Sequence, residues 1–419
     1  MKNLILTIGT NPLPCYKSCL YFLQNYSTIK NVIFLVSKYN DNINQSSTKN
    51  YAIKIIELLE LKNNTIKFEI IEIDNISDNE SISKSMTKLQ ITGDTHFDYT
   101  GGTKSMCVHS YDSLKLKVKF TSSYVDSRKN VLYLENLRTT DNEKIANFDS
   151  IEINFDTLIK LHGYTRKEKN KTFKDPEYLK NITNLLNNSK PDKDILKKFL
   201  KEIGSIITLC NEYYSFDPDT KKIVTNIIKS KIQNLKDDEL MKNSKFNIEL
   251  NNDVLSRGKS ENISKELTEY EGKWLDFYIH NMIKDYLCLD KCEKIEPTEF
   301  FREDNKTDKS DFEIDSSLLY KSTYIGISCT TTVGKKDCKA KGFEVLYRSS
   351  QLGGDNSKSI LITRLGDSEI KDLEKDLEKE IGADISSIKI LGETQLFDTN
   401  ELIKEIEAFI KSEKVIKND

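Results

Sequence analysis

The sequence contains no apolar stretch long enough to span a bilayer. We expect no secretory leader, because Met1-Lys2-Asn3 leads directly into the first strand-like run. A strong charge of one sign is also missing: the formal net charge is −3 over 419 residues. This balance gives no global argument for nucleic-acid binding, so any polyanion must be bound by local patches. With 37% hydrophobic and 31% charged residues, we expect a soluble, cytoplasmic, globular protein of two or three domains without a membrane partner.

Several familiar catalytic patterns are absent as well. Cys288 and Cys292 lie four apart among eight scattered cysteines, but no second Cys or His pair accompanies them, which argues against zinc. The histidines form no Ser-His-Asp or Cys-His order; they are His96, His109, His162 and His280. None lies beyond residue 280, which disfavours a ribonuclease of the HEPN type with its Arg-His motif near the C-terminus.

Two short glycine loops near the N-terminus are the most informative feature present. Gly9-Thr10-Asn11-Pro12 follows the apolar run Leu4–Ile8, and Thr100-Gly101-Gly102-Thr103-Lys104 follows His96–Tyr99. Strand and helix patterns alternate over residues 1–150, which predicts a mainly parallel, Rossmann-like sheet. Both loops would then lie at the carboxyl edge of that sheet, where ligands bind, and helix starts there favour phosphate. The Walker and dinucleotide fingerprints are absent, so ATP hydrolysis and a dinucleotide-linked enzyme are weaker alternatives.

Acidic residues in the C-terminal part are spaced to hold a divalent cation. Residues two apart on a strand share a face, so Glu313 and Asp315 should point together from a strand over Asp311–Leu319. Asp276 lies on a predicted helix at about Gly272–Tyr286. Oxygen ligands from two elements suit Mg²⁺ or Mn²⁺, ions that assist phosphodiester hydrolysis. The competing interpretation is that these acids are ordinary charges on an edge strand.

The N-terminal loops resemble those of a CARF domain. The pattern Ile8-Gly9-Thr10-Asn11-Pro12-Leu13-Pro14, followed by Tyr99-Thr100-Gly101-Gly102-Thr103-Lys104-Ser105-Met106, is similar to that of the ancillary nucleases of type III CRISPR systems. In these proteins a CARF domain precedes a restriction-endonuclease-like domain. The resemblance implies a homodimer that binds one cyclic oligoadenylate, most often cyclic tetra-adenylate and alternatively cyclic hexa-adenylate. The ligand-binding residues it implies are Gly9, Thr10, Asn11, Pro12, Thr100, Gly101, Gly102, Thr103 and Lys104.

The C-terminal part resembles the PD-(D/E)xK nuclease of the same family. Phe312-Glu313-Ile314-Asp315 matches the acidic strand, which implies Asp315, Asp276 and Glu313 as metal ligands and Asp315 and Glu313 as catalytic residues. One departure is important: the next strand reads Ser328-Cys329-Thr330 where the family places a lysine. Either the domain is inactive, or the lysine has moved to the following helix. There Lys341, Glu344, Arg348 and Gln351 recur on one face, with Lys341 the first choice for the lysine and Lys339 the second.

Taken together, the sequence predicts an α/β protein with three parts. These are a CARF sensor domain at 1–150, a helical connector at 151–264 and a restriction-endonuclease-like domain at 265–419. The predicted function is a cyclic oligoadenylate-activated, Mg²⁺- or Mn²⁺-dependent nuclease of CRISPR antiviral defence. It would cleave DNA, RNA or both with little sequence specificity, because groups that contact phosphates read no bases. The alternative is an inactive CARF regulator that binds cyclic oligoadenylate or nucleic acid without cutting.

Overall fold

The computed structural model describes residues 1–61, 65–127, 129–135, 145–148, 151–168, 173–187, 193–250, 252, 254–303, 309–381 and 385–412. Strands and helices alternate in the N-terminal part, as the sequence predicts. They are β1 (Asn3–Thr7), α1 (Leu13–Asn25), β2 (Asn31–Ser37), α2 (Lys49–Glu60), β3 (Lys67–Ile73), α3 (Asn79–Thr87), β4 (Thr95–Asp98), α4 (Lys104–Lys115), β5 (Phe120–Asp126), β6 (Val131–Glu135) and β7 (Ile145–Asn147).

These strands form one mixed sheet with the order β3-β2-β1-β4-β5-β6-β7. The five neighbouring strands β3, β2, β1, β4 and β5 are parallel. At one edge β6 pairs antiparallel with β5, and β7 pairs antiparallel with β6. Every residue of β1 is buried, since helices cover both faces of a parallel sheet. The chain runs from β1 outward to β3 and then returns to β4 on the other side. The strand order therefore reverses between β1 and β4, the place where α/β sheets open a crevice for ligands.

The middle of the chain is mostly helical but contains one strand that the sequence did not predict. Its elements are α5 (Phe155–Leu161), β8 (Tyr164–Glu168), α6 (Pro176–Leu186), α7 (Lys193–Glu212), α8 (Pro218–Asp237) and α9 (Arg257–Thr268). Strand β8 escapes a hydrophobicity pattern because three of its five residues, Thr165, Lys167 and Glu168, are exposed. It pairs with a strand of the C-terminal part, so this segment belongs to a sheet rather than to a purely helical connector.

A π-helical turn, Glu269–Lys273, continues α9 into α10 (Trp274–Tyr286). The later elements are β9 (Cys292–Ile295), β10 (Thr298–Arg302), β11 (Phe312–Ile314), β12 (Ser316–Tyr320), β13 (Thr323–Cys329), α11 (Lys335–Gly353), β14 (Lys358–Ile362), α12 (Asp367–Ile381), β15 (Ile388–Leu391), α13 (Glu393–Leu396) and α14 (Thr399–Lys411). They form a sheet of order β15-β14-β13-β12-β9 and a smaller sheet of order β11-β10-β8.

The predicted strand over Asp311–Leu319 is wrong in one respect, because it breaks at Asp315. Residues before the break form β11 and pair with β10, whereas residues after it form β12 and pair with β13. The physical reason is that the two segments belong to different sheets. Phe312 and Ile314 join the apolar cluster of the N-terminal sheet, whereas β12 contributes Leu319 to that cluster and Leu318 to the cluster of the helical segment.

The N-terminal and C-terminal parts share that first apolar cluster. Phe155, which follows the N-terminal sheet, stacks on Tyr324 of β13 with ring centroids 5.9 Å apart. Leu352 near the end of α11 lies in the same cluster as Leu4 and Leu6 of β1. The start of the first glycine loop and the end of α11 are therefore held close together. Among the described helices, none combines the length and apolarity needed to cross a membrane.

Candidate functional site

The two glycine loops lie against each other at the point where the strand order reverses. An ideal Cβ on Gly101 would lie 2.3 Å from the carbonyl oxygen of Thr7 and 2.8 Å from the nitrogen of Gly9. A Cβ on Gly9 would lie 2.9 Å from the nitrogen of Gly102. The Thr7 hydroxyl donates a hydrogen bond of 2.6 Å to the Gly101 carbonyl. Only residues without a side chain permit this backbone-to-backbone approach.

A cavity of about 430 Å³, here called the loop cavity, opens beside these loops at the carboxyl ends of β1 to β4. Of the residues predicted from the sequence, Gly9, Thr10, Gly102 and Thr103 line it. The sequence prediction missed the rest of its wall, most of which comes from the end of β2 and the segments after β2 and β3: Ser37, Asn44, Gln45, Thr48, Asn75 and Ile76, among others. Polar residues after two further parallel strands were the available signal, because all these strand ends meet at one edge.

The N-terminus of α4 faces this cavity. Thr103 is its N-cap, and its hydroxyl accepts a hydrogen bond of 3.2 Å from the backbone N–H of Met106. Lys104, the first residue of the helix, is exposed. The first turn of a helix leaves backbone N–H groups without helical partners and carries the positive end of the dipole. A phosphate or another anion placed here is therefore favoured.

The remaining predicted residues of these loops have structural contacts. The Thr100 hydroxyl accepts a hydrogen bond of 2.8 Å from the backbone N–H of Val125 in β5. Pro12 is the N-cap of α1. Asn11 reaches the end of α11: a Cβ on Gly354, whose φ is +66°, would lie 2.0 Å from the Asn11 side-chain nitrogen. Asn11 therefore contacts the C-terminal part of the chain.

The buried carboxylate of Asp98 is hydrogen-bonded to the start of the second glycine loop, at Thr100. Asp98, at the end of β4, accepts hydrogen bonds from the hydroxyls of Ser18 at 2.7 Å and Ser123 at 2.8 Å, and from the backbone N–H of Thr100 at 3.1 Å. Burial raises the pKa of Asp98, and these hydrogen bonds oppose the shift. His96 lies beside it, with Nε2 at 2.8 Å from the Ser123 hydroxyl. Burial lowers the pKa of His96 to about 3, so the ring is neutral.

A second cavity, of about 270 Å³ and here called the acidic cavity, lies between α10, the β11–β12 break and α11. Five of the residues predicted from the sequence line it together: Asp276, Glu313, Asp315, Lys341 and Glu344. Lys273, Ser328 and Arg348 complete the polar part of its wall. Acidic and basic side chains from separate elements therefore line one cavity, although the strand predicted to carry Glu313 and Asp315 is broken.

A π-helical turn immediately precedes α10, the helix that carries Asp276. A π turn leaves a backbone carbonyl without its usual partner, and such turns occur often at functional sites. Here the indole N–H of Trp274 donates a hydrogen bond of 3.0 Å to the carbonyl of Glu271. Trp274 is fully buried, so its ring anchors the helix two residues before Asp276. The chain's one tryptophan thus fixes the helix that carries Asp276.

Three possible metal ligands lie close together in this region. A carboxylate oxygen of Asp276, a carboxylate oxygen of Asp315 and the sulfur of Cys329 lie within 4.8 Å of one another. Asp315 Oδ2 also accepts hydrogen bonds from the backbone N–H of Cys329 at 2.9 Å and from the Ser328 hydroxyl at 3.1 Å. The two aspartates are among the residues predicted as metal ligands, and their donor chemistry fits a divalent cation. Glu313 lines the cavity without belonging to this group, and Cys329 was not predicted.

The geometry distinguishes the two candidate lysines on α11. Lys341 Nζ lies 2.9 Å from a carboxylate oxygen of Glu344 within the acidic cavity. Burial lowers the pKa of Lys341, but Glu344, Asp315 and Asp276 outweigh this effect, so the pKa lies above its usual value. Lys339, in contrast, forms an ion pair with Glu380 of α12. The cationic partner of the acids is therefore Lys341.

Helix α11 packs tightly on the central strand, which orients the face that carries Lys341. A Cβ on Gly326 of β13 would lie 2.3 Å from the hydroxyl oxygen of Ser349. One turn before the end of this helix, the Arg348 guanidinium donates to Gln351 at 2.9 Å and lies 4.5 Å from the ring centre of Phe312. The helix thus connects the acidic cavity at its middle with Gly354 and the Asn11 contact at its end.

The fold combines an N-terminal Rossmann-like α/β sheet with a second, mixed α/β sheet in the C-terminal part. Among solved structures, the chain is similar to protein VC1899 from Vibrio cholerae, with a TM-score of 0.56, 13% identity, and coverage of 97% of this chain and 98% of that one. It is also similar to Can2 from Sulfobacillus thermosulfidooxidans in complex with cyclic tetra-adenylate, with a TM-score of 0.57, 14% identity and coverage of 96% and 99%. No family model and no curated protein sequence matches the chain. The comparison confirms the predicted fold class over nearly the full length.

Proposed function

We propose that this protein is a nuclease that cyclic oligoadenylate activates and a divalent cation assists. The observation that carries the proposal is the acidic cavity, where Asp276, Glu313, Asp315, Lys341 and Glu344 meet although they are spread over 69 positions from 276 to 344. The resemblance to CRISPR ancillary nucleases and the shared fold with a cyclic tetra-adenylate complex support the same conclusion. In this proposal residues 1–150 form the sensor, 151–264 the connector and 265–419 the nuclease domain.

The loop cavity is the proposed binding place of one part of the cyclic nucleotide. Phosphate would lie against the start of α4, where Thr103 and the backbone of Gly102 meet the cavity. Uncharged polar groups of the β2 and β3 loops, such as Gln45 and Asn75, supply hydrogen-bond partners for a base or ribose. A ring with twofold symmetry suits two copies of this edge, so we propose a homodimer around one ligand.

In the acidic cavity Asp276 and Asp315 would hold Mg²⁺ or Mn²⁺. Such an ion, when bound, stabilises developing negative charge on phosphate and lowers the pKa of water. The chain's own groups then position the substrate. Lys341 carries a positive charge toward the same opening, where it can bind a phosphate oxygen and stabilise the transition state. Glu344 holds the lysine side chain through their ion pair, and Arg348 adds a second cation for the nucleic-acid backbone.

The test is a cleavage assay of the full-length protein with Mg²⁺ or Mn²⁺, with and without cyclic tetra-adenylate. Substrates are supercoiled plasmid, single-stranded DNA and RNA. We expect cleavage that requires both ligand and metal, and loss of cleavage but not of nucleotide binding in Asp315→Asn. Lys341→Met should lower the rate about 10²- to 10³-fold, as for removal of one transition-state donor. The matched control Lys339→Met should cleave as the wild type does.

A non-catalytic regulator is the second candidate, and one observation favours it. Strand β13 ends in Ser328 and Cys329, and Thr330 follows, so no cation stands where the nuclease family places its lysine. The same assay separates the candidates. Nucleotide binding without cleavage of any substrate would establish the regulator, whereas greater sensitivity to loss of Lys339 than of Lys341 would refute the assigned lysine.

A further inference from the structure

The sulfur of Cys329 lies inside the proposed metal centre. Its Sγ and one carboxylate oxygen each of Asp276 and Asp315 lie within 4.8 Å of one another. Ligand atoms bound to one divalent ion at about 2.0–2.3 Å have separations compatible with this spacing. The three residues come from α10, the β11–β12 break and the end of β13, so the fold rather than local sequence brings them together.

The Cys329 thiol is buried beside the two carboxylates. The side chain is only 7% exposed. Two other thiols of this chain donate hydrogen bonds to backbone carbonyls, Cys15 to Thr7 and Cys338 to Thr332. Within the described part of the chain, no hydrogen bond is formed by the Cys329 sulfur. A buried thiol beside two carboxylates can supply a third ligand atom to a divalent cation, since such ions bind both Cys sulfur and Asp oxygen.

We propose that Cys329 is a sulfur ligand of the metal centre and that it shifts the preference of the nuclease from Mg²⁺ to Mn²⁺. This inference rests on the proposed nuclease function. Mg²⁺ selects oxygen ligands in near-octahedral geometry, whereas sulfur ligands select softer ions. Binding through sulfur replaces the thiol proton, which leaves to solvent as the sulfur–metal bond forms. The same ligand set predicts tight binding of Co²⁺, which serves as a spectroscopic probe.

The direct test is titration of Co²⁺ into the full-length protein without nucleic acid, followed by absorbance. A thiolate–cobalt bond produces a charge-transfer band in the near ultraviolet. We expect this band in the wild type and in Cys338→Ser, which removes a different buried thiol. Cys329→Ser should lose the band, and Asp276→Asn should weaken Co²⁺ binding at least about tenfold. A wild-type protein without the band, or a band that persists in Cys329→Ser, would overturn the proposal.

Cleavage measured in parallel separates this proposal from the nuclease function itself. In the wild type we expect faster cleavage with Mn²⁺ than with Mg²⁺, and in Cys329→Ser a fall of about tenfold in that ratio. An unchanged ratio would overturn the metal preference. If the cobalt band depends on Cys329 but no ion supports cleavage, the sulfur ligand stands and the nuclease function fails. If cleavage is metal-dependent without the band, the nuclease function stands and the sulfur ligand fails.

Discussion

Replacing Gly101 with alanine should separate the two loops that form the candidate nucleotide site. The added Cβ would lie 2.3 Å from the Thr7 carbonyl oxygen and 2.8 Å from both Cys15 Sγ and Gly9 N. Two of these three atoms belong to the backbone and cannot rotate away. Overpacking costs about 1–3 kcal/mol, and contacts this short place Gly101→Ala at about 3 kcal/mol. The unfolding entropy grows with chain length, so for 419 residues the melting temperature should fall by about 1 °C per kcal/mol, or about 3 °C in all.

The matched control is Gly163→Ala, which tests backbone strain without a collision. Gly163 has φ of +75° and no atom within 4 Å of an added Cβ. The expected cost is about 1–2 kcal/mol from the left-handed conformation alone. Thermal unfolding followed by circular dichroism compares the variants, and titration with cyclic tetra-adenylate reports on the site. If Gly101→Ala is no less stable than Gly163→Ala, the backbone-to-backbone contact of the loops is refuted.

Three further predictions concern pH, substrate binding and the contact between the two parts of the chain. Because burial lowers the pKa of His96 from 6.5 to about 3, its contribution to stability is complete above pH 6.5 and is lost as the pH falls toward 3. The free energy of unfolding should fall by about 1.4 kcal/mol per pH unit over this range, so urea unfolding should show a shallower pH dependence in His96→Asn than in the wild type. The raised pKa of Asp98 has the opposite effect on the pH dependence of stability, but Asp98 is present in both proteins. Arg348→Gln should weaken nucleic-acid binding in the acidic cavity and reduce the slope of log affinity against log salt by about 0.7–0.9, and an unchanged slope would exclude a phosphate contact. Gly354→Ala should destabilise the protein because the added Cβ collides with Asn11. A double-mutant cycle with Asn11→Ala should give an interaction free energy of about 0.5–3 kcal/mol, and strictly additive effects would refute the contact.

Much of this protein's architecture could be predicted from local patterns in its sequence. The alternation of apolar strands and helices over the N-terminal part was enough to predict the parallel sheet, because periodicity follows directly from which side chains are buried. Gly9 and Gly101 marked the strand ends, since a tight turn and a close backbone approach require glycine. The helical spacing of Lys341 and Glu344 could likewise be predicted, because it depends on backbone geometry within one element. Glu313 and Asp315 were found from their residue types, although the strand predicted to carry them breaks at Asp315.

The tertiary structure decided which of these residues meet and which others join them. Lys341 rather than Lys339 faces the acids, because the packing of Ser349 on Gly326 sets the rotation of α11 against the sheet. Cys329 joins Asp276 only when β13 and α10 are in place. Spacing within one element gives the phase of its side chains, but not its rotation and distance relative to another element. Those depend on core packing between residues far apart in the chain.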